Sequence, residues 1–423
     1  MNKLSDWLNI IYENNKIYKN RGLNQVREVA NRMKLMNGPI AKNVIIVSGT
    51  NGKGSTVAII DYIARIYGFS IARYSSPHLI RYNERLILNG NEVSDTALIN
   101  AFEQINKARL LNPEINLSYF EFGTLAAALI ISKGYFDIAV LEVGLGGRLD
   151  AVNIFDADVA VITTVSQDHA DYLGNDIEVI GFEKAGIMRS QAPVILGSST
   201  FPKSVTNYAY TIGVSTIRQI TYDFHIIEHK NMWHWQGLDA QGFTIKINNI
   251  PKCSLPINNA ATALQALILT TNIININGVR NAFKYVNLPG RLQWLGNWCL
   301  DVAHNPQAAN YIAHYFYIKD KNISRGIRVA LLAMLCDKDA ECFIKALLHT
   351  VDLWVVASLH GARARSGESL SQIINKQGGE VIYVANSVLD GIIWIQSSKN
   401  MFKEVLVCGS FFTVAAVIDF FKK

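Results

Sequence analysis

Apolar residues along the chain fall into short unbroken runs, each followed by a turn rich in glycine or serine and then by apolar positions at helical spacing. Val44–Ser48 leads through such a turn into Thr56–Ile66. Ser70–Tyr74, Asp137–Val143, Asp158–Val165 and Pro193–Leu196 read as the next four strands. A strand that is apolar on both faces needs cover on both faces, so this alternation predicts a mostly parallel sheet between helices. Between Tyr222 and Pro251 the pattern switches to strict alternation, as in Phe243-Thr-Ile-Lys-Ile247, which predicts a small antiparallel insertion. A helix over Asn258–Leu269 follows, and Asn287-Leu-Pro-Gly290 supplies a hinge. Beyond the hinge the rhythm restarts with Cys299–Ala303, Arg328–Met334, Leu353–Ser358, Glu380–Ala385 and Glu404–Cys408. The expected fold class is α/β: residues 1–290 form a large domain with the antiparallel insertion, and residues 291–423 a smaller Rossmann-like α/β domain.

Composition narrows the chemistry. The 423 residues are 50% hydrophobic and only 17% charged, too apolar for a disordered chain. No uninterrupted apolar span reaches the ~18 residues of a membrane helix. Met1–Trp7 is polar and amphipathic, unlike a signal peptide. The five cysteines are scattered and form no C-x-x-C pair, which argues against a disulfide framework or a zinc ribbon and suits a reducing cytoplasm. Lys and Arg number 40 against 34 Asp and Glu, a balance of +6. That suits acidic small molecules, and it is too diffuse for nucleic acid.

Ligands of open α/β sheets sit at the carboxyl ends of the strands. The first strand ends in Ser48-Gly-Thr-Asn-Gly-Lys-Gly-Ser-Thr56. Its glycines let successive N–H groups turn toward phosphate oxygens at a helix N-terminus; Lys53 can reach the outer phosphates, and Ser55 or Thr56 can ligate Mg2+. Gly54 separates the lysine from the hydroxyls, so the spacing is not that of the usual G-x-x-x-x-G-K-[ST]. The second strand ends in Tyr74-Ser-Ser-Pro-His-Leu79 and the third in Glu142-Val-Gly-Leu-Gly-Gly-Arg-Leu-Asp150. Glu142 inside an apolar run needs a partner or a metal; Arg148 is the competing partner. The fourth ends in Ser166-Gln-Asp-His-Ala-Asp171, where His169 becomes a plausible ligand beside Glu142. Lys184 alone reads as a surface lysine. Past the hinge, Asp301-Val-Ala-His-Asn-Pro306 offers Asp301 and His304 to a cleft, or an Asn-Pro helix cap. The residues by themselves point to a Mg2+-dependent nucleotide enzyme with a second, mobile domain.

In order along the chain, these motifs together resemble the folylpolyglutamate synthase family, related to the Mur peptide ligases. Arg81-Tyr-Asn-Glu-Arg85, Ser118-Tyr-Phe-Glu121, Glu183-Lys-Ala-Gly186, Asn259-Ala-Ala-Thr-Ala263, Leu288-Pro-Gly-Arg291, Asp337-Lys-Asp339 and Cys408-Gly-Ser410 extend the likeness over almost the whole length. Ser-Ser-Pro-His and Tyr-Phe-Glu resemble the bacterial bifunctional form, which makes dihydrofolate and polyglutamylates folates. The resemblance implies a P-loop ATP- and pterin-binding first domain, a C-terminal ligase domain, and a monomer acting on dihydropteroate, reduced folates, L-glutamate and ATP, with no nucleic-acid or membrane partner. By motif it assigns Gly49, Thr50, Asn51, Gly52, Lys53, Gly54, Ser55, Asn259, Arg291 and Asp301 to ATP. It assigns Ser118, Tyr119, Phe120, Glu121, Leu149, Asp150 and Ala151 to the pteroate, and Ser76, Glu142, His169 and a carbamylated Lys184 to Mg2+ at two sites. Lys53, His169 and Lys184 carry the catalytic roles. Arg21, Asn24, Gln25, Phe182, Cys336 and Phe412 depart from the family's usual residues. The competing readings are a Mur-type ligase on another carboxylate, a folylpolyglutamate synthase without the dihydrofolate activity, and a nucleotide-binding module without catalysis.

Overall fold

The computed structural model describes residues 3–15, 22–167, 174, 176–271, 275–321, 326–398 and 401–422. The chain divides into two compact units, one running to Val286 and the other spanning Asn287–Lys423. The change thus falls at the start of the Asn-Leu-Pro-Gly segment, a few residues before the expected 290/291 boundary.

Eight strands form the sheet of the first unit: β1 Asn43–Ser48, β2 Ile71–Tyr74, β3 Leu86–Leu88, β4 Asn91–Glu92, β5 Ile138–Glu142, β6 Val159–Ile162, β7 Val194–Leu196 and β8 Ile217–Gln219. Their order is β4-β3-β2-β5-β1-β6-β7-β8. β1 lies between β5 and β6 and is parallel to both, with Val47 opposite Glu142 on one side and Val161 on the other. Every residue of β5 and β6 is buried, as unbroken Ile/Val/Ala/Leu runs require when helices cover both faces. From β1 the chain builds β2 to β5 on one side and then β6 to β8 on the other, so the strand order switches at β1, the place where open α/β sheets bind ligands at the carboxyl ends of their strands; the glycine-rich loop begins there.

The β3–β4 hairpin adds an antiparallel edge to a sheet expected to be mostly parallel. Asn89 and Gly90 make its turn, both at positive φ (49° and 86°). The alternating segment forms a separate antiparallel sheet of β9 His225–Glu228, β10 Met232–Leu238 and β11 Thr244–Pro251. Trp233 and Trp235 alternate inward there, each 1% exposed.

The second unit holds six strands: β12 Gln293–Leu295, β13 Trp298–Leu300, β14 Arg328–Leu332, β15 Leu353–Ala357, β16 Val381–Ala385 and β17 Glu404–Cys408, in the order β12-β13-β17-β14-β15-β16. All pairings are parallel except β12 with β13. Arg328 is buried in this unit, where it meets Asp320 at 2.9 Å and Glu404 at 2.7 Å. No helix among the described residues is long and apolar enough to cross a membrane.

Candidate active site

The loop after β1 is tied to the end of β6. Thr50 N donates to Thr164 O (2.8 Å), Asn51 N to Thr164 Oγ1 (3.0 Å), and Thr163 Oγ1 to Asn51 O (2.6 Å). A side chain at Gly49 would meet Thr163 Oγ1 at 1.9 Å, so glycine is required there. Gly52 has φ +89° and directly precedes the helix Lys53–Ile66; a Cβ on it would lie 2.5 Å from Asn259 Oδ1. Asn259 comes from the helix Ile257–Thr271. The structure therefore brings Gly49–Ser55 and Asn259 together across 200 residues of sequence. Lys53 folds back over the loop, donating to Gly49 O (2.8 Å) and Thr50 O (3.3 Å). Ser55 and Thr56 are buried in the first turn of the helix. Thr163 and Thr164 are additions that the motifs alone do not supply; their signal was position, directly past the end of a buried strand.

Glu142 is 5% exposed at the end of β5, and Ser76 N donates to its Oε2 at 3.2 Å. Two residues assigned to the metal thus meet. Arg148 is not the partner of Glu142: its Nη2 and Nε reach Glu183 Oε1 at 2.7 and 3.0 Å, and its guanidinium lies 5.6 Å over the Phe182 ring. That alternative reading of Glu142 is corrected. Phe182, one of the departures, in turn packs edge-on against Tyr208. Lys184, in the last turn of the helix Ile177–Ala185, is 4% exposed, so it is no surface lysine. His169 and its neighbours 168–173 lie outside the described residues.

Two of the segments assigned to the pteroate carry structural duties as well. Ser118 and Glu121 cap the helix Tyr119–Gly134 reciprocally: Ser118 Oγ accepts from Glu121 N (3.2 Å) and Glu121 accepts from Ser118 N (2.7 Å). Tyr119 and Phe120 are left half-exposed at the helix entrance. Asp150 knots the loop after β5, accepting from Gly144 N (3.0 Å), Leu145 N (2.9 Å) and Val152 N (3.1 Å). Burial pushes its carboxyl up to about 7, against the pull of those three N–H groups and of Lys53. Leu149 beside it is 41% exposed, whereas Ala151 is buried.

In the second unit, Asp301 is buried and accepts from Leu292 N (3.0 Å) and Ala303 N (2.9 Å), fixing the turn that carries Arg291. Burial raises its pKa while Arg291 and the two N–H groups oppose the rise. Asn305 caps the helix Pro306–Asp320, as the Asn-Pro pair implied. His304 Nδ1 contacts Val302 O at 2.9 Å, and Arg291 lies 5.6 Å over Phe411.

Comparison with known proteins gives this geometry a setting. Residues 47–257 match the Mur ligase middle domain. The dihydrofolate synthase/folylpolyglutamate synthase of Escherichia coli is 37% identical over 98% of this chain and 95% of its own length. The chain belongs to the dihydrofolate synthase/folylpolyglutamate synthase family. Its fold agrees with that of solved members. E. coli FolC in complex with DHPP and ADP superposes with a TM-score of 0.90 at 36% identity, covering 99% of this chain and 98% of that one. The Yersinia pestis bifunctional enzyme with AMPPNP and Mn gives 0.90 at 34% identity, covering 100% and 99%.

Proposed function

We propose that this chain is an ATP- and Mg2+-dependent amide ligase that joins L-glutamate to dihydropteroate, giving dihydrofolate, and to reduced folates, extending their glutamate chain. The observation that carries this reading is the Gly49–Ser55 loop, held open by Gly52 against Asn259 at a helix N-terminus, in a family member matched over 98% of its length. Loop amides and Lys53 take the ATP phosphates, and Asn259, Arg291 and Asp301 match the family's nucleotide contacts. Tyr119 and Phe120, with Ser118, Glu121 and Leu149–Ala151, form the pteroate subsite. The first unit is accordingly the ATP- and pterin-binding domain, and the second the ligase domain.

The metal's donors fit a hard cation. Glu142 is a carboxylate held out of water at a strand end, where the backbone N–H of Ser76 donates to it, and a carbamate on buried Lys184 would add oxygens. Ser76, Glu142, His169 and carbamylated Lys184 would hold the Mg2+, at two sites, and the metal would supply charge neutralisation at phosphate oxygens. The substrate carboxylate attacks the γ-phosphorus, forming an acyl phosphate and ADP. The amine of glutamate then attacks the acyl carbon and phosphate leaves. Negative charge builds on the phosphoryl oxygens in the first step, where the Lys53 ammonium and loop N–H groups face it. The enzyme works as a cytoplasmic monomer.

Phosphate release from ATP tests this with dihydropteroate and with tetrahydrofolate, each with and without L-glutamate. Glutamate-dependent release is expected with both. Release with tetrahydrofolate alone leaves a folylpolyglutamate synthase, and release with neither refutes the proposal.

A further inference from the structure

Two arginines among the described residues are nearly or wholly buried, Arg328 and Arg85, at 1% and 8% exposure. Arg328 follows the usual rule for a charge taken from water: two carboxylates meet it. Arg85 does not. No carboxylate pairs with it among the described residues. Its Nε donates to His78 Nδ1 at 2.9 Å, and its guanidinium lies over the rings of Tyr82 (5.2 Å) and Tyr119 (5.3 Å). Nδ1 accepts this bond, so His78 carries its proton on Nε2 and offers Arg85 no negative charge. The pair thus keeps a full positive charge. Stacking on two tyrosine faces offsets only part of its desolvation.

The position of this charge narrows what it meets. Ser75 N donates to Arg85 O (2.8 Å), and Ser76 N donates to Glu142 (3.2 Å), so consecutive amides of one loop tie Arg85 to the metal-assigned cluster. Tyr119 belongs to the pteroate-assigned segment, and Tyr74 pairs with Phe120 at 6.0 Å between rings. A planar cation is therefore set among aromatic faces, a shape that suits an aromatic ring bearing a carboxylate, gripped by two parallel N–H bonds.

We propose that Arg85, oriented by His78 and by the rings of Tyr82 and Tyr119, binds the aryl carboxylate of the pteroate substrate. The inference rests on the ligase reading above. It adds a substrate-positioning residue to that site and assigns His78 the role of holding the guanidinium while leaving its charge unneutralised.

Calorimetry separates the possibilities, using dihydropteroate and its primary carboxamide, each with a non-hydrolysable ATP analogue and Mg2+. Arg85→Gln should weaken dihydropteroate by roughly 10- to 100-fold, the range of a hydrogen bond to a charged group, and the carboxamide by less than about threefold. Arg85→Lys, which keeps the charge but loses the fork, should fall between; it also serves if Gln destabilises the loop, as a thermal melt would reveal. Equal loss for both ligands would assign Arg85 to pocket shape alone and overturn the proposal. No loss for either would overturn it as well. If the parent protein bound neither ligand, the ligase reading itself would fail, a result distinct from the other two.

Discussion

Replacing Gly52 by alanine perturbs two things that can be separated. The residue sits at φ +89°, a left-handed conformation costing a side-chain-bearing residue about 1–2 kcal/mol. In addition, the new methyl would stand 2.5 Å from Asn259 Oδ1 and 2.8 Å from its Nδ2, closer than van der Waals contact allows. Asn259 must move or the loop must shift, and overpacking of this kind adds roughly 1–3 kcal/mol. Gly68 provides the control, with φ +85° and nothing within 4 Å of an added Cβ. Gly68→Ala bears the same strain without the clash and lies beyond the far end of the helix Lys53–Ile66. At about 2–4 °C per kcal/mol, the control should lose ~2–8 °C in melting temperature and Gly52→Ala more. Calorimetric ATP titration should show Gly52→Ala binding at least about tenfold more weakly than the parent, with Gly68→Ala near normal. Equal ATP affinity in the two variants would refute the placement of the nucleotide against Gly52 and Asn259.

Further consequences can be measured separately. Lys184→Arg keeps the positive charge but cannot form a carbamate, so ligation should fall by orders of magnitude; parent-like rates would remove Lys184 from the metal site. Asp150 has a folded pKa raised to about 7, so its contribution to stability is fully present below about 4 and is lost as pH rises through about 7. Asp150→Asn should remove that slope, and the difference in urea-unfolding free energy between variant and parent should change by roughly 2–4 kcal/mol from pH 4 to pH 8; parallel curves would count against it. Arg328→Ala leaves Asp320 and Glu404 without their buried partner and should cost about 3 kcal/mol in a thermal or denaturant melt, whereas a loss under ~0.5 kcal/mol would place the network in the solvated class.

Much of this fold was legible because buried parallel strands are written as unbroken apolar runs. Val44–Ser48 and Glu404–Cys408 match β1 and β17 to within a residue. The β3–β4 hairpin lies outside the predicted elements although Asn89-Gly90 announces its turn, because strands of three and two residues are too short to show an apolar period. Ser118-Tyr-Phe-Glu121 likewise carries the capping-box spacing that the structure realises. Pairings across the sheet are a different matter. Nothing local says that Arg148 turns to Glu183 and not to Glu142, because that choice depends on where the helix Ile177–Ala185 packs. The burial of Lys184 and the lack of a paired carboxylate at Arg85 among the described residues are also tertiary facts, invisible in residue types and spacing.

The acyl phosphate is the centre of the account, and isotope transfer reports on it directly. Dihydropteroate labelled with 18O in both carboxylate oxygens is incubated with the enzyme, ATP, Mg2+ and L-glutamate, and the released phosphate is read by 31P NMR. If the carboxylate is phosphorylated and the amine of glutamate then displaces phosphate, one labelled oxygen appears in inorganic phosphate for every amide formed. Phosphate released without label, alongside amide product, would contradict the mechanism.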